Sequence, residues 1–256
     1  MGWSRQNSRA LLFLVALVVV WAALAALQIV PAIVLPSPAS VVRAIPKMLD
    51  ERLLADIGLT LARVLGALAI ACVFGIPLGL YLGYRKGVYQ VIESPLHALR
   101  SVPASALFPL FLIVIGVGEK SIVALAAYPS LLVILANTVS GATLANKRRL
   151  YQARLLGLDT FDTLTEVLFY EALPNILDGI RTAVSYALML VIAVEMFIGL
   201  SERGLGRSIY EYQSTYRIPE TYGAIIIAGI IGILLNAAVS QMEHRMLRWL
   251  PNVQEG

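Results

Sequence analysis

The sequence predicts an all-α, polytopic membrane protein with about six transmembrane helices. Three observations predict it. Of 256 residues, 59% are hydrophobic and 14% charged, whereas soluble domains carry roughly 45–50% apolar and about 25% charged residues. The mean hydropathy is +0.79. The apolar residues also gather into runs close to the roughly 20 that a helix needs to cross the hydrocarbon core. Residues 1–256 are read as one transmembrane domain.

The spans are expected at residues 11–30, 59–84, 104–117, 121–141, 176–199 and 222–242. Arg5, Arg9 and the string Ala23-Leu24-Ala25 give the first run some features of a signal peptide. Its apolar stretch exceeds the roughly 7–15 residues of a signal core, so we read it as a retained span. The third run is short and interrupted by prolines. Residues 93–103 are expected to continue it as a broken helix lining the protein interior, where such breaks are tolerated. The lone Cys72 excludes an internal disulfide and reads as a buried thiol.

Basic residues favour the cytoplasmic side of a membrane. With both termini cytoplasmic, that side holds Arg5, Arg9, Arg85, Lys86, Arg100, the run Lys147-Arg148-Arg149, Arg154, Arg181, Arg245 and Arg248. Arg63, near the outer end of the second span, is expected to snorkel its stem toward water. The net charge of +4 reflects this sidedness and does not call for nucleic acid.

Small residues let helices approach in lipid. Gly75, Gly79 and Gly83 form one stripe at four-residue spacing, and Ala224, Ala228, Gly232, Asn236 and Ser240 form another. Intrachain packing and a dimer contact are both open for these stripes.

Residues 145–173 are too polar for lipid. Gly157 divides them into two short helical pieces, with Leu164, Val167 and Leu168 on one face of the second. Leu173-Pro174 is expected to close the loop, with Pro174 opening the next helix. This segment resembles the cytoplasmic loop of ABC importer permeases, which has the form Glu-Ala-Ala, three residues, Gly, then a later Leu-Pro. Here it reads Tyr151-Gln152-Ala153-Arg154-Leu155-Leu156-Gly157-Leu158, then Leu173-Pro174. Other stretches resemble the nitrate/sulfonate/taurine-type branch: Leu35-Pro36-Ser37-Pro38, Gly75-Ile76-Pro77-Leu78-Gly79, Arg100-Ser101-Val102-Pro103, Ala193-Val194-Glu195-Met196 and Gly204-Leu205-Gly206. Tyr151 and Gln152 stand where the family has Glu and Ala, and Tyr170 where it has a proline.

The resemblance implies a type I importer permease in a bacterial inner membrane. Its loop 145–173 would dock on an ATPase subunit and transmit its closure. It implies a second permease copy or paralogue, and a periplasmic or lipid-anchored binding protein on the side of the outer loop 201–219. ATP and Mg would belong to the ATPase, with no cofactor on this chain. The cargo would be a small anion such as nitrate, a sulfonate or taurine; related systems carry vitamins or vitamin precursors.

The string Gly118-Glu119-Lys120-Ser121 lacks the glycine that precedes lysine in a phosphate-binding loop. Within the spans, Tyr128, Asn137, Glu195 and Met196 are the candidates for the translocation pathway. Glu195 reads either as a gating group or as an anchor reaching interfacial water. Tyr210, Tyr212 and Tyr216 in the outer segment suit a protein interface or a membrane-interface belt. An ion-coupled carrier would leave loop 145–173 unexplained. A membrane hydrolase is disfavoured because the only histidines are His97 and His244.

Overall fold

The computed structural model describes residues 2–31, 33–197 and 202–248. Gly199, the predicted end of the fifth span, and Ser201, the start of the outer segment, lie outside the described residues. So do the side chains of Arg5, Arg9, Leu11, Lys86 and Arg154.

All described regular structure is helical. The helices are α1 (Gly2–Ala26), α2 (Pro38–Met48), α3 (Glu51–Tyr84), α4 (Lys86–Ser101), α5 (Phe108–Ile115), α6 (Glu119–Leu144), α7 (Lys147–Leu155), α8 (Thr160–Asp162), α9 (Phe169–Glu195), α10 (Leu205–Ser214) and α11 (Ile218–Met246). Helices α3, α6 and α11 are each long and apolar enough to span a bilayer, as is the continuous rod Thr160–Glu195. Helices α4 and α5 form a pair bent by 84°, together apolar enough for a broken span or a re-entrant loop. Of the first predicted span, α1 contributes a described apolar stretch Val15–Ala26.

Four of these features bear on the sequence expectation. The third run continues through residues 93–103 as a broken helix, as expected: α5 has 8 residues, about 12 Å of helix, and α4 precedes it across the break. Pro103 breaks the rod between them. Second, α4 climbs into the bundle and carries Arg100 away from the α7 end, where a simple loop would have left it; the Tyr128 hydroxyl donates to the Leu99 carbonyl at 2.9 Å. Third, Pro174 lies inside α9 and does not start it. A proline there removes one ladder bond and crowds the carbonyl four residues back; a π turn at Thr163–Leu168 loosens the rod just ahead of it. Fourth, two amphipathic helices, α2 and α10, fill segments that carried no helix prediction.

The centre is α3 against α6 against α9. Its core includes Val64, Ala67, Ala71, Ile122, Leu125, Ala126, Ala183, Ala187 and Val191. The glycine stripe of α3 faces α6. A Cβ on Gly79 would sit 2.6 Å from Thr138 Cβ, and one on Gly83 would strike Ala142 Cβ. Gly232 packs on Leu188, while Asn236 Nδ2 donates to Gly232 O at 3.0 Å and to Ser185 Oγ at 3.4 Å. Both small-residue stripes therefore serve intrachain packing. Trp21 ties α1 down, donating from Nε1 to Pro36 O at 2.9 Å and stacking on Tyr222.

Candidate functional site

At the α7 end, α7 and α8 form a corner around Gly157. Helix α7 ends in a Schellman motif: Leu158 N–H reaches back to Ala153 O at 3.1 Å, and Gly157 takes φ +80°. That left-handed conformation is the glycine position of the motif. Asp159 then caps α8, accepting from Asp162 N at 2.8 Å. The corner is backed by Ala153 and Leu168, both buried, and by the half-buried Leu150 and Leu164. Glu171 holds it to α9, pairing with Arg149 and accepting from Asn146 N at 3.2 Å.

The tip remains uncovered. Tyr151, Leu155, Leu156 and Phe161 are 63%, 69%, 80% and 70% exposed. Around them stand Lys147, Arg148, Asp159, Asp162 and Glu166, which do not belong in hydrocarbon. An exposed apolar tip rimmed by charge marks an interaction surface. Beside it, Gln152, Ala153, Leu158, Val167 and Tyr170 line a shallow cavity of about 480 Å³. The altered positions Tyr151, Gln152 and Tyr170 thus lie on or beside this surface. Leu173 is buried beneath it, while Pro174 sits one turn into α9.

The α10 end is built in the opposite way. Glu195, fully buried, accepts from Arg63 Nη1 at 2.6 Å, from Thr60 Oγ1 at 2.9 Å and from Gly206 N at 2.9 Å. Thr60 in turn accepts from Leu205 N at 2.9 Å. The first free N–H groups of α10 are thereby satisfied by side chains of α3 and α9, with a carboxylate at the positive end of the helix. Arg63 donates with its other edge to both oxygens of Glu119, through Nε at 2.6 Å and through Nη2. Such a fork fixes geometry as well as charge. Asp56 extends the network to Arg203 at 2.9 Å and Ser208 at 3.1 Å.

This network corrects two expectations. Arg63 does not snorkel, since it is 3% exposed and held between two carboxylates. Glu195 does not reach interfacial water either. Gly204 and Gly206 are explained by the same network. A Cβ on Gly204, at φ +130°, would lie 2.5 Å from Glu195 Cδ. One on Gly206 would collide with Ile192 O. No spacing rule joins positions 63, 119 and 195, so sequence reasoning could find the three charges but not their meeting.

The four pathway candidates do not form one site. Tyr128 lines a cavity of about 520 Å³ at the α4–α5 break. Asn137 lies about 14 Å further along α6, donating to Val133 O at 2.9 Å and packed on Gly179. Glu195 belongs to the sealed network, and Met196 is the half-buried cap of α9.

Among the described residues, four helices long and apolar enough to cross a membrane, or up to five with the bent α4–α5 pair, make this a polytopic membrane protein. The profile of the family described as "Binding-protein-dependent transport system inner membrane component" matches residues 75–248, and the chain belongs to that family. It is 27% identical to the taurine transport system permease protein TauC of Escherichia coli K12, over 98% of this chain and 93% of TauC. It is 29% identical to the nitrate import permease protein NrtB of Synechocystis, over 76% of this chain and 70% of NrtB. A solved inward-facing structure of the MetNI methionine ABC transporter shares the fold at TM-score 0.63 and 18% identity, covering 78% of this chain and 98% of that one. The protein is therefore a membrane-spanning permease subunit of an ABC importer.

Proposed function

We propose that this permease couples to a separate ATPase through the Tyr151–Leu158 corner and moves a small anion by alternating access. ATP and magnesium belong to that ATPase. A second permease copy or paralogue completes the pathway, and a substrate-binding protein docks at the α10 end. In this reading the α7 end, with its Lys147-Arg148-Arg149 run, faces the cytoplasm together with both termini. Nitrate, sulfonate and taurine are the favoured cargoes because relatives transport taurine and nitrate. The observation that carries the reading is the exposed apolar tip of Leu155, Leu156 and Phe161, rigidly backed by the bundle.

The test is co-purification. Replacing Leu155, Leu156 and Gly157 by charged residues is expected to release the ATPase while leaving the permease folded in detergent. Retention of the ATPase by a folded, charge-substituted chain would sink the assignment of this corner.

A further inference from the structure

The break between α4 and α5 brings a cation beside the middle of α6. Arg100 ends α4, and its neighbour Leu99 accepts a hydrogen bond from Tyr128. Tyr128 lies about 14 Å along α6 from Glu119 and about 24 Å from Leu144, at 1.5 Å per residue. Arg100 is thus level with the middle of the bundle and far from both ends. A charged side chain at such depth is costly unless it faces a cavity or a partner.

Arg100 faces a cavity. The space of about 520 Å³ is walled by the broken segment from Leu99 to Ser105 and by α6 and α9. Irregular backbone at membrane depth is tolerated where it lines such a space. Arg100 is exposed to the cavity and makes no ion pair among the described residues. The closest acidic residue on its own helix, Glu93, is about 10 Å away along the axis. No Asp or Glu lines the cavity, whereas the hydroxyls of Ser105, Tyr128 and Tyr186 do. Leu132, Met189 and Leu190 supply an apolar wall.

We propose that this cavity is an anion-binding site on the translocation route, in which Arg100 holds a small monoanion bearing a short apolar body. The inference rests on the permease reading above and adds a binding residue and the apolar body of the anion. The guanidinium and hydroxyls meet the charged head, and the leucine and methionine wall meets the tail. A cargo that also carries an ammonium group finds no carboxylate among the lining residues, so it binds less well than the plain anion.

The experiment uses the assembled wild-type transporter in phosphatidylcholine nanodiscs. Phenylglyoxal modification of Arg100 is followed by mass spectrometry of its peptide. Ethanesulfonate is expected to slow the modification at least about fivefold, with taurine weaker and choline without effect. The proposal fails if ethanesulfonate gives no protection, or if choline or taurine protects equally well. It also fails if Arg100 does not react at all, since the cavity would then be closed to small molecules. A fourth arm uses phosphatidylglycerol discs: protection by that lipid, with none by ethanesulfonate in phosphatidylcholine, makes the occupant a headgroup and overturns the proposal. Retention of the ATPase in the same preparation reports separately on the permease reading.

Discussion

The two ends of the bundle solve opposite problems. At the α10 end, charged groups are buried and Glu195 is satisfied by Arg63, Thr60 and Gly206. At the α7 end, the charged groups are solvated and the apolar side chains are uncovered, with Leu156 80% exposed. The first end is complete by itself and holds four helices together. The second is complete only as a scaffold, because its tip has backing but no cover. A buried ion pair stabilises only if it stays whole, whereas an exposed apolar tip contributes nothing to the fold and is free to serve a partner.

Substitutions at the two ends should therefore differ in kind. The largest effect is expected for Arg63→Leu, which leaves the Glu195 carboxylate buried without its cation. Removing one partner of a buried pair costs about 3–5 kcal/mol, and denaturant unfolding in micelles measures it. The double change Arg63→Leu with Glu195→Leu should recover a large part of the loss, and simple additivity would show that the pair does not act as a unit. Smaller is Gly157→Ala at the other end. Its φ of +80° makes a side chain cost about 1–2 kcal/mol, and the loss should appear in ATPase retention more than in global unfolding. Smallest is Glu119→Gln. Glu119 is 61% exposed on its side chain, so its share of the network is expected at no more than about 1 kcal/mol. An effect as large as that of Arg63→Leu would mean that Glu119 is buried in the assembled transporter.

The same contrast explains what was legible in the sequence. The long spans follow from apolar runs, and the Gly157 corner follows from local chemistry: a glycine, a cap and a helical face within a dozen residues. The α10 network is non-local. Arg63 and Glu195 are 132 positions apart, and Thr60 looks like an ordinary helix residue until α10 is laid across it. Helix α10 itself hides behind Gly204 and Gly206, which read as loop residues although they are close-approach positions. Helix α2 hides because it is short and contains Pro46. Arg100 reads as a loop charge, whereas it ends α4 at the break with α5.

One consequence concerns mechanics. From Thr160 to Glu195 the backbone is an uninterrupted helical rod of 36 residues, about 54 Å long. Its first turn adjoins the Gly157 corner, and its last residue is the carboxylate that holds α10. In the proposed coupling the rod would act as a crank, carrying a tilt of the corner toward α10 through one continuous helix whose π turn is its softest point. The π turn at Thr163–Leu168 sets the angular phase of that crank. Deleting one residue there would rotate the corner by about 100° relative to the bundle, leaving both ends intact but out of register with each other.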